Sequence, residues 1–589
     1  VCYIFFREVK VRGSYHLPKS GPVIVVVAPH ANQFVDGAII LSRIRALTNR
    51  NSSSVIAEAS YKRRFIGFLA KLANSIPVPR AQDNLKFVEG EIYCKDDDAK
   101  VIYGKNTKFT NFTPKALIGL PQSAGNSVIE EIKSDTELVL RKPFKNEKAY
   151  KLLSEGTKFK YAPKVENDVT FQHVFDHLHK GGIINIFPEG GSHDRPDLLP
   201  IKAGVAIMAL GAAAADPNCK IQVVPTGLNY FHRNAFRSRS VVEFGAPITI
   251  TKEHGEAYKK NPREAVGKLL DEITTALKSV TLTAPDYDTL MLIQAVRRLY
   301  AKKVPLSLVI DMNRKFLKGY HTYKDNPRVI HLKNAVLDYN KKLDQLGLKD
   351  HQVELAVRSR FESLITLLVR LVQLIILGIL SLPGTVLFSP IFIATDHISK
   401  KKQAEALAGS VVKIKAVDVI ATWKIIIATA FAPALYITYS LLGTWLTYRF
   451  NILGATSHHI FFIFAGIYAI LVTTTYAAFR IGEVGMDIFK SLPPLVSSVF
   501  SSEHELLQLK ETREKLALEV TEVVNDLGPS VFPDFDTFHA KNFEKVNDDE
   551  EDEGNERSRS SSVVSSVSNA LSRVNSEGRI SDIPILGDG

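Results

Sequence analysis

Residues 23–36 read VIVVVAPHANQFVD, a β-branched apolar run that passes directly into a polar stretch. A second boundary of this kind lies at residues 183–195, which read IINIFPEGGSHDR. Continuous apolar strands are typical of parallel sheets that are covered on both faces. In such sheets ligands bind outside the carboxyl ends of the strands, so we expect both polar loops at one functional edge.

The segments around these two boundaries alternate between helix-like and strand-like patterns. The predicted elements are helices over 169–180, 202–215 and 262–279, and strands over 182–187, 221–225 and 240–244. This alternation predicts an α/β domain, a mostly parallel sheet flanked by helices, in two parts at 1–80 and 171–281. Between these parts, residues 81–170 show weaker alternating segments and many loops. They predict an inserted β-rich lobe.

The 589-residue chain is uneven in hydropathy, although its mean hydropathy is only +0.01. Three apolar runs predict membrane segments, at 361–395, 421–448 and 458–479. Pro383-Gly384 interrupts the first run, which favours a membrane hairpin or a kinked span over one straight span. A charged helical region at 282–360 precedes these runs. An amphipathic helical region at 480–540 and a disordered, acidic and Ser-rich tail at 541–589 follow them.

The charge and cysteine content narrow the class of protein. A net charge of +12 suits an anionic membrane surface or anionic substrates, and no basic helix indicates nucleic-acid binding. Three widely spaced cysteines exclude a disulfide framework and suit a domain that faces the cytosol. The basic amphipathic stretch 60–73 fits either a helix that covers the sheet or one that lies on a bilayer. The apolar opening, residues 1–6, leads us to expect a preceding membrane anchor.

His30 and Asp36 are the candidate catalytic pair. An imidazole that titrates near neutral pH can take a proton from an alcohol, provided that a carboxylate orients its other nitrogen. The alternatives are a histidine that caps a helix and a rival pair, His193 with Asp194.

The second loop is expected to bind an anion. Glu189 is followed by Gly190 and Gly191, and glycines allow backbone N–H groups to approach a phosphate closely. Arg195 and Lys202 follow, and residues 202–204 open a predicted helix whose N-terminus favours an anion. Arg80 ends the stiff stretch IPVPR at 76–80 and can bond two phosphate oxygens at once. The cysteines show no metal-ligand spacing, and no metal site is predicted.

These motifs together resemble the glycerophospholipid acyltransferase family, and in particular the fungal endoplasmic-reticulum enzymes that acylate glycerol 3-phosphate or dihydroxyacetone phosphate. The likeness rests on residues 28–34, 76–80 and 187–211, and on Val223-Val224-Pro225. It implies a cytosol-facing catalytic domain in that membrane, or at lipid droplets, with acyl-CoA as co-substrate and no cofactor. It departs from the family in two places. Five residues instead of the usual four separate His30 from Asp36, which would turn Asp36 by about 100° on a regular helix, so a non-helical stretch or bulge between them is expected. Ser192 also stands where an arginine is usual. The implied roles are a base (His30), its orienter (Asp36), a glycerol-binding residue (Glu189) and phosphate-binding residues (Arg80, Gly190, Gly191, Arg195, Lys202).

Two other functions stay open at this point. The same chemistry could act on a lysophospholipid, 1-acylglycerol 3-phosphate. A non-enzymatic membrane scaffold or lipid transporter with a decayed catalytic domain is the alternative from another class, because Arg370 and Lys424 place charge inside apolar segments. In the tail, Arg557-x-x-Ser560 and Arg573-x-x-Ser576 match sites of basophilic kinases, which makes a kinase a candidate partner.

Overall fold

The computed structural model describes residues 5–95, 100–144, 147–165, 168–231, 233–301, 306–357, 359–408, 410, 412–452 and 460–532. These residues form two compact units. Among the described residues, the N-terminal unit comprises those up to 281 together with 398–423, and the C-terminal unit comprises those in 282–397 and 424–532. The tail at 541–589, with both candidate kinase sites, lies outside the described residues.

An eight-stranded mixed sheet organises the N-terminal unit in the order β1-β13-β12-β2-β11-β3-β4, with β14 beside β12. The pairs β12–β13 and β12–β14 are antiparallel, and the other pairs are parallel. The bounds of the sheet strands are β1 Phe6–Arg12, β2 Val23–Ala28, β3 Ser52–Ala57, β4 Ile76–Val78, β11 Ile183–Ile186, β12 Ile221–Tyr230, β13 Ser238–Phe244 and β14 Ile248–Ile250. All six residues of β2 are buried at the centre of the sheet, as its apolar run predicts.

Helices cover this sheet and complete its core. Buried residues of β2 and β11 pack with Val174, Val205 and Leu269 from three different helices. The helices of this unit are α1 Gln33–Thr48, α2 Glu58–Tyr61, α3 Arg64–Leu72, α4 Glu147–Glu155, α5 Asp168–His179, α6 Gly204–Ala215, α7 Lys252–Lys260 and α8 Pro262–Val280. Because β2 and β11 are adjacent and parallel, the loops that follow them meet at one edge of the sheet.

Helix α3 has an unusual surface. It buries Ile66 and Ala70, whereas Phe68, Leu69 and Leu72 are exposed. The amphipathic stretch at 60–73 therefore both contacts the unit and presents apolar side chains outward.

The inserted lobe is a closed six-stranded barrel in the order β10-β5-β6-β9-β8-β7. Its strands are β5 Lys86–Tyr93, β6 Val101–Lys105, β7 Leu117–Gly119, β8 Asn126–Ile132, β9 Glu137–Leu140 and β10 Thr157–Ala162. It has a core of its own, which includes Ile92, Phe109, Leu138 and Phe159. A separate core and a closed sheet fit the predicted β-rich insertion between the two parts of the α/β domain.

Three helices of the described chain are long and apolar enough to cross a membrane, which indicates a membrane protein. They belong to α13 Arg360–Ala408, α14 Ile420–Arg449 and α15 Ile460–Lys490. Of the two expected alternatives, the hairpin does not form at Pro383-Gly384, because α13 continues through Pro383 and Pro390 for 49 residues. A Cβ at Gly384 would lie 2.4 Å from the Cβ of Ala478, so this glycine permits close helix packing instead of a turn.

The described part of the C-terminal unit has six other helices, and most of them pack around a core that includes Leu299, Val336 and Leu516. They are α9 Tyr287–Tyr300, α10 Leu306–Tyr323, α11 Pro327–Gln345, α12 Val353–Ala356, α16 Leu492–Phe500 and α17 Glu503–Val531. Helix α17 buries residues at 506, 509, 513, 516, 520 and 523, the spacing of an amphipathic helix. Beside this face Arg513 bonds Asp350 through Nε at 3.0 Å and Nη2 at 2.9 Å, and both residues are buried.

Candidate active site

The His30 imidazole and the Asp36 carboxylate are joined by a hydrogen bond of 2.8 Å between Nδ1 and Oδ2. Helix α1 begins at Gln33, so His30 precedes the helix while Asp36 lies in its first turn. Gln33, at the start of this helix, has a φ of 43°, outside the helical range. The chain between His30 and Asp36 therefore departs from a regular helix, and this departure lets the two side chains meet across five intervening residues. The Phe187 ring stacks on the imidazole at 4.2 Å, and Nε2 has no hydrogen-bond partner among the described residues.

Asp36 is held by two further donors, which the sequence did not indicate. Its Oδ2 also accepts from the backbone N–H of Asn32 at 2.8 Å, and its Oδ1 accepts from the Tyr230 hydroxyl at 2.5 Å. The carboxylate is fully buried. Tyr230 is the last residue of β12, which continues five residues beyond the predicted strand. Because the predicted strand ended at residue 225, Tyr230 was not among the candidate site residues. Three donors fix the carboxylate in the orientation that serves His30.

Glu189 joins the two loops from inside the protein. Its Oε2 accepts from the backbone N–H of His30 at 2.6 Å. Its Oε1 accepts from His193 Nε2 at 2.8 Å and from the Leu199 N–H at 2.9 Å. The side chains of Glu189 and His193 are both 0% exposed. The carboxylate thus links the two loops through three donors, and its expected contact with a glycerol group stays a prediction.

The rival pair His193 with Asp194 is not assembled. Besides bonding Glu189, the His193 ring accepts from the Arg195 N–H through Nδ1 at 3.2 Å, so both of its nitrogens are occupied. The Asp194 carboxylate instead accepts from backbone N–H groups of residues 414, 415 and 417. Neither side chain of this pair is available to act on a substrate in this arrangement.

Arg80, Gly190 and Lys202 come together at the opening of the second loop. Arg80 donates to the Gly190 carbonyl at 3.0 Å through Nη1 and holds Asp83 at 2.7 and 2.9 Å. Gly190 has a φ of 73°, and a Cβ there would lie 2.3 Å from Lys202 Nζ. Burial lowers the pKa of Lys202, and the charge of Arg80 lowers this pKa further, against the effect of Asp83. Two cations held this close form a site suited to an anion.

Arg195 and the remaining loop residues contact the segment that links α13 to α14, which we call the connector (residues 412–419). Arg195 is exposed and donates from Nε to the Val412 carbonyl at 2.6 Å. Lys413 Nζ donates to the Ser192 carbonyl at 2.8 Å and pairs with the buried Asp418. Gly191 is exposed, with open space around its Cα. The connector thus places a lysine beside Ser192, the position at which the resemblance leads us to expect an arginine.

Charged groups behind this loop fix the connector to the catalytic edge. Burial acts to raise the pKa of Asp194, but the backbone N–H groups of Ile414, Lys415 and Val417 hold this pKa below its ordinary value. Arg233 is buried and donates to the His193 carbonyl at 3.1 Å; burial lowers the pKa of its guanidinium, although three nearby carboxylates oppose this. In α14, the hydroxyl of Thr422 donates to the Asn32 carbonyl at 2.8 Å. These contacts are long-range, and no local sequence pattern indicates them.

A histidine–carboxylate pair beside a cationic loop is typical of enzymes that activate a hydroxyl on an anionic acceptor. A family model described as the glycerol-3-phosphate acyltransferase 2 C-terminal domain matches residues 292–532. Glycerol-3-phosphate O-acyltransferase 2 of Saccharomyces cerevisiae is 50% identical over 628 residues, which covers 99% of this chain and 84% of the relative.

Two further relatives are similar over most of their length. Glycerol-3-phosphate O-acyltransferase 1 of Saccharomyces cerevisiae is 46% identical, with 94% of this chain and 73% of the relative covered. An uncharacterised acyltransferase of Schizosaccharomyces pombe is 45% identical, with 90% and 80% covered. This chain belongs to the fungal glycerol-3-phosphate acyltransferase family.

Proposed function

We propose that this protein is a membrane enzyme that transfers a fatty acyl group from acyl-CoA to the sn-1 hydroxyl of glycerol 3-phosphate. The names of two of its relatives support glycerol 3-phosphate as the acceptor. The observation that carries the proposal is the His30–Asp36 pair, whose loop is tied through Glu189 to the loop that bears Gly190 and Lys202. This arrangement provides a base and a cationic site at one edge of the sheet.

In this mechanism His30 Nε2 removes the proton of the acceptor hydroxyl as its oxygen attacks the thioester carbonyl carbon. Asp36 stabilises the imidazolium that forms, and Asn32 and Tyr230 keep its carboxylate in place. The tetrahedral intermediate then expels the CoA thiolate, which takes the proton from His30. Proton transfer of this kind contributes about 10²–10⁴ in rate.

Arg80 and Lys202 hold the phosphate of the acceptor at the Gly190 turn, with the N-terminus of α6 nearby in the chain. We retain Gly191 and Arg195 as predicted contacts of the phosphate. Holding the phosphate brings the acceptor hydroxyl to His30 and converts an encounter between two molecules into a positioned reaction.

The decisive experiment is acyl transfer to radiolabelled glycerol 3-phosphate by the full chain in lipid nanodiscs. His30→Ala is expected to lower kcat by about 10²–10⁴ while the protein stays in the membrane fraction. His331→Ala is the matched control, because His331 is exposed on α11 and pairs with Glu519. Activity of His30→Ala within threefold of the native chain would refute His30 as the base. A native chain inactive on all acceptors would favour a scaffold or transporter.

Dihydroxyacetone phosphate is proposed as a second acceptor. It has the same phosphate and a free hydroxyl, so the contacts of Arg80 and Lys202 apply to it equally. We expect transfer to both phosphates and at least tenfold slower transfer to glycerol and to 1-acylglycerol 3-phosphate. Faster acylation of 1-acylglycerol 3-phosphate would identify a lysophospholipid acyltransferase instead.

Acyl-CoA is proposed as the donor, in a direct transfer that uses no cofactor. A thioester is activated enough for attack by a hydroxyl that has lost its proton. We expect full activity with purified acyl-CoA in the presence of a chelator and no burst of free CoA before the acceptor is added. A CoA burst equal to the amount of enzyme would reveal an acyl-enzyme instead.

We propose that the catalytic loops face the cytosol at the endoplasmic reticulum membrane, with lipid droplets as a further location. Asn51 and Asn111 begin matches to the N-x-S/T acceptor pattern, and both lie in the N-terminal unit. A cytosolic unit leaves both unglycosylated. Treatment with an endoglycosidase should therefore not change the mobility of the protein, whereas a secreted glycoprotein of the same cells should shift. The kinase acting on Ser560 and Ser576 remains a prediction.

A further inference from the structure

The C-terminal unit contains an apolar cavity that the proposed reaction does not use. It lies among α9, α10, α11 and α17 and measures about 120 Å³, or about 930 Å³ when counted out to its open mouth. Ile293, Phe316, Leu332 and Leu527 are among its aliphatic and aromatic walls. A cavity of ~150 Å³ lined by such residues stays dry and binds benzene. The cavity therefore has both the room and the chemistry for hydrocarbon.

Gly319 keeps part of this space empty. It lies in the interior of the 18-residue helix α10 and lines the cavity, and a Cβ at this position meets no atom within 4 Å. Glycine inside a helix is less stable than alanine, and an empty apolar space forfeits packing contacts. Filling this space with hydrocarbon would restore those contacts.

One edge of the cavity is cationic. Among the described residues that line it, the charged ones are Lys315 and Lys333. Lys315 and Lys318 place their ammonium groups 5.5 and 5.3 Å from the ring centroid of Phe532, which also lines the cavity. A lysine covers apolar surface with its stem and keeps its ammonium group at the boundary with water. Apolar walls with a cationic edge complement a molecule that has a hydrocarbon chain and an anionic head.

An anionic head group would open the cavity by displacing the ring of Phe532. It follows the end of α17 at Val531, and the cation–π contacts hold its ring against the lysines. An anionic head would compete with the ring for the same two ammonium groups. Displacement of the ring would extend the cavity toward its mouth and admit a longer chain.

We propose that this cavity is a binding site for a single-chain anionic amphiphile, with the acyl chain against the apolar walls and the anionic head beside Lys315, Lys318 and Lys333. The inference does not rest on the proposed acyl transfer, because binding here needs no turnover. A fatty acid and a 1-acylglycerol 3-phosphate share this chemistry, and the experiment distinguishes them by their heads.

The test uses the full chain in nanodiscs and a fatty acid that carries a photoreactive diazirine in its chain. Labelled peptides identified by mass spectrometry are expected to come from α10 and α17. Gly319→Leu fills the cavity and should reduce this labelling at least fivefold. Gly267→Leu is the matched control, because it makes the same exchange at a helical glycine in α8 with open space around it. Phe532→Ala should increase the labelling.

Competition identifies the head. Oleate should compete if a carboxylate is accepted, 1-oleoylglycerol 3-phosphate if a phosphate is accepted, and oleyl alcohol should compete at least tenfold more weakly than either. Replacing Lys315 and Lys333 together with Gln should abolish the preference for anions. Labelling confined to the membrane helices, or equal labelling of the native chain and Gly319→Leu, would overturn the proposal. If Gly319→Leu does not fold, unchanged labelling of Phe532→Ala would overturn it as well.

Discussion

The buried carboxylate of Glu189 offers a direct test of how the two catalytic loops are held together. Glu189→Gln keeps the shape of the side chain but replaces one acceptor oxygen with an NH₂ group. All three groups that face this carboxylate are donors: the His30 N–H, His193 Nε2 and the Leu199 N–H. His193 cannot change tautomer freely, because its Nδ1 accepts from the Arg195 N–H. At least one donor must therefore lose its acceptor.

In the least costly arrangement, the amide oxygen still accepts from His193 and Leu199. The NH₂ group then faces the His30 N–H, which loses its acceptor. A hydrogen bond to a charged group contributes about 1.5–3 kcal/mol. At about 1.4 kcal/mol for each factor of ten, the aligned position of His30 becomes roughly 10–150 times rarer. If Glu189 positions His30, kcat should fall by roughly this factor for both proposed acceptors.

The assay is steady-state acyl transfer with the concentrations of acceptor and donor varied separately. A positioning role predicts a lower kcat with little change in the KM for glycerol 3-phosphate, together with a lower unfolding temperature. A contact between Glu189 and the glycerol group predicts the opposite, a raised KM at nearly constant kcat, and that result would refute the reasoning. Glu272→Gln, at an exposed position of α8, should change neither quantity.

Three further predictions concern the anion site and the C-terminal unit. Gly190→Ala forces a side chain into a φ of 73° and against Lys202, so the KM for glycerol 3-phosphate should rise roughly 5–30-fold in the acyl-transfer assay. Because the pKa of Lys202 is lowered, its ammonium group loses its proton at a lower pH than that of an ordinary lysine. The KM for glycerol 3-phosphate should therefore begin to rise at a lower pH on the alkaline side of a pH profile. Since the charge of Arg80 contributes to the lowering, Arg80→Gln should move this rise to higher pH. Asp350→Ala removes the carboxylate that accepts both hydrogen bonds of buried Arg513 and leaves it with the more distant Glu354 at 3.8 Å, so it should destabilise the C-terminal unit by about 3–5 kcal/mol in thermal unfolding. An unchanged unfolding temperature would show that the pair is dispensable.

The catalytic edge could be predicted because its determinants are local in the sequence. Each of the two polar loops follows a buried strand, and adjacent parallel strands bring such loops together by topology alone. The His30–Asp36 bond also follows from local geometry, since the unusual spacing required a non-helical stretch and α1 begins only at Gln33. The Arg80–Gly190 contact was expected as part of one anion site, but not as a direct bond to the loop carbonyl.

The buried position of Glu189 could not be predicted from the sequence, because it depends on the fold. A carboxylate next to two glycines is typical of a ligand contact, and only the fold shows that it points inward at three donors. The hairpin expected at Pro383-Gly384 is not found because packing between helices, which the sequence pattern does not show, decides this position as well. Proline and glycine are tolerated inside membrane helices when neighbouring helices pack closely, and the contact of Gly384 with Ala478 is of that kind.

No local sequence pattern indicates the contacts of the connector, since more than 200 residues separate Asp194 from its partners at 414–417. Asp194→Asn removes the charge that these backbone N–H groups share, and weakening one charge-assisted bond by about 1.5 kcal/mol corresponds to roughly tenfold. We expect tryptic cleavage at Lys413 and Lys415 to become about tenfold faster and kcat to fall with little change in KM. Asp197→Asn, at an exposed position of the same loop, is the control. Faster cleavage with unchanged kcat would show that the loop keeps its shape without the connector. Loss of kcat would mean that a segment between two apolar helices completes the catalytic edge.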